Sequence, residues 1–223
     1  MKIIGFVILG LLLSSTVNMV FAQEVRNRIV ETITIPFTAT DAVFRSPEHY
    51  YFHSKHVANW ILTIQNNLIY NEENPEAKVV LRLKENPSDT NFVEIAMLSP
   101  PSHKLWVAVA KDEVGYMRLY EDDNAWFIDK PVMVSFVQNE RLSVNNGQRI
   151  IVDRLRIGEL TLGTIEVYGR EDADASVSTL GGQVLIDVMS GNPLDNPILM
   201  IPPIAVAVTV GAVITLLVIK KRT

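Results

Sequence analysis

Three of the four histidines stand close together in "HYYFHSKH", as His49, His53 and His56. Imidazole nitrogens ligate zinc and copper well, and three of them are enough to hold either ion. On a helix, steps of four and three bring all three rings to one face; on a strand, His49 and His53 share a face and His56 points away. A second cluster, "EDDNAWFID", gathers Glu121, Asp122, Asp123, Asn124 and Asp129 around a turn. Calcium takes about six to eight oxygen ligands, and this loop could supply several. The EF-hand spacing is missing, and solvated acidic loops are common on negatively charged surfaces, so the run reads first as such a loop. A transition metal at the histidines and calcium at the acids are the candidate cofactors.

Aromatic residues offer a different chemistry. Trp60, Trp106, Trp126, Tyr116 and Tyr120 could stack on sugars, because a flat π face matches the apolar face of a pyranose; on strands, such rings also serve as core. In "GYMRLY", Met117 and Leu119 alternate with Tyr116, Arg118 and Tyr120. If the first two point inward, the other three form a row on the opposite surface, about 7 Å apart along the strand. Two rings and a guanidinium at that spacing can grip a sugar chain or an extended peptide, and these three are the expected ligand-binding residues. Nothing comparable supports catalysis. There is no cysteine, no G-x-S-x-G and no glycine-rich phosphate loop, so the expectation is a protein that binds without reacting.

Such residues need elements to hold them. From Asn27 to Gly169, short runs of alternating apolar residues are separated by turn residues every 8 to 15 positions, the pattern of an all-β sandwich or barrel. "KVVLRLK" places Val79, Leu81 and Leu83 on one face, with Val80, Arg82 and Lys84 on the other. Proline, asparagine, aspartate and serine fill "NEENPEA", "ENPSDTN" and "SPPSHK", where fixed φ angles and side-chain bonds to the backbone favour loops. In "RLSVNNGQRIIV", a three-residue Asn145-Asn146-Gly147 loop would pair Leu142 with Ile150 and keep one face apolar, with Gly147 in the left-handed region. "SPEHYYFHSKHVANW" is ambiguous, since Ser46-Pro47-Glu48 could open a helical turn. The domain expectation is a sandwich over 23–169, then a stalk over 170–197 with one further strand candidate, "QVLIDVM".

The two ends carry an address. "MKIIGFVILGLLLSSTVNMVFAQE" has the lysine, apolar run and small-residue exit of a secretory signal, giving a signal peptide over 1–22. Ile198 to Ile219 holds no charge and would reach about 33 Å as a helix, enough for one transmembrane helix. Lys220, Lys221 and Arg222 follow, and such a basic flank stays in the cytoplasm. The expectation is a single-pass protein of the cell membrane, with its ectodomain outside, its basic tail (220–223) inside and the lipid bilayer as one partner. Four of the 20 basic residues lie in the two end segments, so the exported part carries 16 against 25 acids, a net charge of −9. That balance excludes nucleic acid as an electrostatic partner. Without cysteine, stability must come from an ordinary core.

The order "LWVAVAKDEVGYMRLY", "AWFIDKPVMVSFVQNERLSVNNGQRIIV", "LGTIEVYG" resembles the concanavalin A-like lectin and laminin-G jelly rolls, over roughly Leu105 to Gly169. Trp126, Leu142, Val144, Asn146, Gly147, Ile165, Val167 and Gly169 stand at the matching places. The resemblance implies an antiparallel jelly-roll-like β-sandwich that recognises a glycan or a surface protein, in some members with calcium. The glycosidase branch of that architecture carries closely spaced acids on one strand, whereas "FVEIAML" offers Glu94 alone. The whole plan, a cysteine-free ectodomain with a C-terminal span and a short basic tail, resembles archaeal membrane-anchored surface proteins. The functional expectation is an extracytoplasmic recognition module for a glycan, an envelope component or a protein. The alternatives are a metal-handling or accessory ectodomain of a membrane complex and, last, a jelly-roll glycoside hydrolase.

Overall fold

The computed structural model describes residues 29–57, 59–137 and 140–190. Alternation of β-branched and polar residues makes "ETITIP" strand β1 (Glu31–Pro36), which buries Ile33 and Ile35 between exposed Thr32, Thr34 and Pro36. A 3-10 turn (Phe37–Asp41) leads to β2 (Glu48–His56), β3 (Trp60–Asn66) and the short β4 (Ile69–Tyr70). Two meanders follow: β5 (Lys78–Lys84), β6 (Phe92–Leu98), β7 (Leu105–Lys111) and β8 (Gly115–Asp122), then β9 (Val132–Val137), β10 (Arg141–Asn145) and β11 (Ile150–Arg156). The chain continues through β12 (Leu162–Tyr168), β13 (Thr179–Gly181) and β14 (Gln183–Ser190).

The first sheet runs β1-β14-β3-β9-β10-β11, and the second runs β2-β12-β5-β6-β7-β8. Strand pairs are antiparallel throughout the described residues. One core lies between the sheets, built from Leu62, Ile64, Val134 and Phe136 of the first and Leu81, Leu83, Val107 and Ile165 of the second. Trp60 stacks on Phe136 inside it, with ring centroids 5.3 Å apart. The structure is thus an all-β antiparallel sandwich. As the alternation predicts, β5 turns Val79, Leu81 and Leu83 to the core, leaving Lys78, Val80, Arg82 and Lys84 on the outer face.

Three expectations change. The ambiguous stretch after Ser46 is strand β2, not a helical turn. Residues 170–190 are not the start of a stalk, because β14 lies hydrogen-bonded between β1 and β3. Val184, Ile186 and Val188 on it are fully buried, so its alternation fills a gap in the first sheet. The hairpin also takes a wider register, with Leu142 opposite Leu155, Val144 opposite Val152, and Asn145 opposite Ile150. Buried Asn146 is the cause. Its Oδ1 accepts the N–H groups of Gln148 and Arg149, and its Nδ2 donates to the Ala125 carbonyl, which holds open a four-residue loop. Gly147 has φ +86°, the left-handed conformation expected of it.

Among the described residues, no helix is long and apolar enough to cross a membrane. The segments 1–22, 198–219 and 220–223, read above as signal, span and tail, lie outside the described residues.

Candidate functional site

The outer face of the second sheet carries an ordered set of polar and aromatic side chains. Register places Glu166 of β12, Arg82 of β5, Glu94 of β6, Ala108 of β7 and Arg118 of β8 in one row across the strands. Arg82 is the centre. Its Nε donates to Glu94 Oε2 at 2.7 Å, its Nη1 to Glu166 Oε1 at 3.0 Å, and its Nη2 to the Tyr168 hydroxyl at 3.2 Å. Lys84 donates to the other Glu166 oxygen at 2.9 Å. The rings of Phe44, Phe92 and Tyr168 surround the guanidinium carbon at 4.8, 4.6 and 5.0 Å, favourable placements for a cation over π faces. Burial works against the Arg82 charge, but the hydrogen bonds and charges of Glu94, Tyr168 and Glu166 outweigh it and hold its pKa above the ordinary value.

From this centre the network reaches the surface. Glu94 is 2% exposed, and its Oε1 accepts both the indole N–H of Trp106 at 2.9 Å and the hydroxyl of Tyr116 at 2.8 Å. The Tyr116 ring remains 49% exposed and lies 6.4 Å from Phe92. Burial raises the Tyr116 pKa, and the Glu94 carboxylate adds to the effect. Arg118 lays its guanidinium over the Trp106 ring at 5.1 Å and is held there by Glu121. The Arg118 hydrogen bond, in turn, pulls the Glu121 pKa below the ordinary carboxylate value. The result is a fixed platform, with a phenol ring and a stacked guanidinium facing solvent and each polar group oriented from beneath.

Tyr120 does not join the row. A bulge in β8 sets Tyr120 opposite Val107 and Arg118 opposite Ala108, with Leu119 as the extra residue. One inserted residue reverses the alternation beyond it, so Leu119 and Tyr120 both pack against the main core. Trp60 and Trp126 are core residues as well; the indole N–H of Trp126 donates to the Leu98 carbonyl at 2.7 Å. Of the aromatic candidates, Trp106 and Tyr116 are therefore the two on the outer face.

Neither metal cluster forms. Among the described residues, no three His, Asp or Glu side chains gather where they could hold an ion. The strand geometry separates the histidines: His49 stands opposite Glu166 on the outer face, His53 bonds Glu31 at 2.7 Å, and His56 is buried beside Phe52. The acidic loop is matched by cations instead of open to calcium. Glu121 pairs with Arg118 and Lys104, Asp122 with Arg149, and Asp123 with Lys104, while Asp129 is exposed beyond them.

No family model and no curated protein matches the chain. Solved structures do show a general likeness. A glycosidic hydrolase is 11% identical, over 70% of this chain and 75% of its own, with a TM-score of 0.45. A carbohydrate binding module from Bacillus subtilis is 8% identical over 70% and 92% of the two chains, at 0.39. Sheep galectin-11 is 11% identical over 63% and 96%, at 0.35. At such scores the likeness is one of general build, and the site must be read from its own residues.

Sequence reasoning missed Arg82, Glu166, Lys84, Tyr168, Phe44 and Phe92 as site residues. A signal was present. "VVLRL", "FVEIAML" and "GTIEVY" each set one charge in the middle of an apolar strand, where a buried ion needs a partner. Only the register shows that these three charges are neighbours.

Proposed function

We propose that the chain is a jelly-roll-like recognition module that holds a glycan across the outer face of the second sheet, without catalysis. The observation that carries this reading is the Tyr116–Trp106–Arg118 platform locked on Glu94 and Glu121. A sugar ring has an apolar face bounded by hydroxyls. An exposed phenol ring suits the apolar face, and the N–H fork of a guanidinium suits the hydroxyls. Preorganisation lowers the ordering cost that weak ligands usually incur. The apolar 198–219 segment and its basic flank support attachment to the cell membrane, with this face outside.

Glycoside hydrolysis is the weaker reading. It needs one carboxyl free to give a proton and a second free to attack or activate water. Glu94 and Glu166 share the face, but every one of their four oxygens already accepts a hydrogen bond from Arg82, Lys84, Trp106 or Tyr116. The metal-handling alternative loses its histidine cluster, as described above.

A glycan array probed with the labelled full chain in mild detergent tests the proposal. Binding to a defined set of oligosaccharides, abolished by Arg118→Ala with the unfolding midpoint unchanged, supports it. Failure to bind any glycan, or binding indifferent to Arg118→Ala, removes it.

A further inference from the structure

The outer face of the second sheet is rich in charge, yet its ions come in pairs. Arg82 and Lys84 share Glu166, and Arg82 also holds Glu94. At the β2 edge, Lys55 bonds Glu85 at 2.9 Å. Toward the opposite ends of the strands, Lys78 bonds Glu171, and Lys104 lies 3.4 Å from Glu121 and 3.7 Å from Asp123. Arg118 is held by Glu121. Six basic side chains on and around the face thus meet six carboxylates. Lys111, at the end of β7, donates to the Glu159 carbonyl at 2.7 Å, and Arg45 lines a surface hollow with Asp172 and Asp174. Among the described residues, each cation of this region therefore has acidic or carbonyl oxygen beside it. At the rim the balance tips the other way: Asp112, in the β7–β8 turn, accepts from the uncharged Thr90 and Asn91 side chains. The whole chain carries a net charge of −5 at pH 7.

We infer that the glycan held here is a neutral one, built of sugars without carboxylate, sulfate or phosphate groups; this rests on the glycan reading of the face and narrows it. The Arg118–Glu121 pair is the reason. Arg118 gives one Nη to Glu121, and both side chains remain more than a third exposed. A donor and an acceptor therefore stand side by side on β8, and Arg118 also meets Tyr116 through a hydrogen bond. A sugar hydroxyl can use both groups at once, since it donates one hydrogen bond and accepts two. An ionised carboxylate or sulfate can only accept. To reach Arg118 it must lie against the Glu121 carboxylate or displace it, and juxtaposed like charges oppose binding. Trp106 offers an anion no other route. The two cations over its ring, Arg118 and Lys78, are already paired with Glu121 and Glu171.

The test compares neutral oligosaccharides with the same chains carrying a uronic acid or a sulfate ester, using the full chain in mild detergent at about pH 8, where histidine is uncharged. The wild type should bind neutral members and leave their acidic counterparts at least about tenfold weaker. Affinity for a neutral member should change less than about twofold between about 0.01 and about 0.15 M salt, although the screening length falls from about 30 to about 8 Å. Glu121→Gln removes the guarding charge and keeps the side-chain size, so it should raise the ratio of acidic to neutral binding about tenfold or more. A purely structural role for Glu121 would not move that ratio. Acidic chains bound as well as neutral ones by the wild type, a steep loss of affinity with salt, or an unchanged ratio in Glu121→Gln each overturns the inference and leaves the glycan reading standing. Binding of neither kind of chain sinks the glycan reading itself, and this inference with it.

Discussion

Gly147 is the residue where local conformation alone forces the choice of side chain. Its φ is +86°, and a Cβ added there would lie 2.6 Å from the Lys130 Cβ and 3.2 Å from the Pro131 carbonyl. A β-branched residue adds conformational strain to that overlap, so Gly147→Val should lower stability by about 2 kcal/mol or more in urea denaturation. An unchanged midpoint would mean that the hairpin does not pack on the Lys130 loop. Glu94 is a different kind of constraint. It accepts hydrogen bonds from Arg82, Trp106 and Tyr116 while almost fully buried, and removing one partner of a buried ion pair leaves the other charge exposed to a low dielectric. Glu94→Gln should therefore cost about 2–4 kcal/mol of unfolding free energy by the same measurement. A cost below about 0.5 kcal/mol, as at ordinary surface positions, would show that Arg82 is held without it. Gly147 was legible in the sequence because Asn-Gly between apolar runs has a mechanism. The Glu166–Arg82–Glu94 row was not, because residues 82, 94 and 166 become neighbours only through pairings across three strands.

At the scale of elements, alternation is a reliable guide to faces but not to where it breaks. It correctly sorts β5, where Val79, Leu81 and Leu83 enter the core. In β8 it fails at one position, since the bulge at Leu119 turns Tyr120 inward, and no residue type in "GYMRLY" announces an inserted residue. The two tyrosines should accordingly part company. Tyr116→Ser is expected to weaken glycan binding with a small loss of stability, whereas Tyr120→Ser loses core packing and lowers the unfolding midpoint. Equal behaviour in both assays would return them to one face. β14 shows a second limit. Its charged, small-residue approach, "REDADASVSTLGG", reads as a linker, but the strand beyond it completes the first sheet. Ile186 is fully buried there, so Ile186→Ala should cost about 2–5 kcal/mol. In a stalk the same change would be nearly silent.

At the scale of the whole molecule, the phenols tie the sandwich to pH. Burial raises the pKa of Tyr70 and Tyr168 well above the free value of 10.0, and raises Tyr116 and Tyr50 in the same direction. The unfolded chain therefore loses these protons at lower pH than the folded one. Their contribution to stability is complete below pH 10 and is lost as pH rises through the folded-state values. Denaturation midpoints should fall steadily above pH 10, with phenolate absorbance appearing together with unfolding. A flat profile with free tyrosine titration would contradict the burial of Tyr70 and Tyr168. The central claim, that the outer face of the second sheet receives a glycan, can be read from the three tryptophans. Trp60 and Trp126 are sealed in the core, while Trp106 lies under Arg118 beside Tyr116. Titrating the full chain with an oligosaccharide selected on the array, while following tryptophan emission, should give a saturable change that Trp106→Phe removes. Binding seen by calorimetry with emission unaltered, and indifferent to Tyr116→Ser, would place the ligand elsewhere and contradict the account.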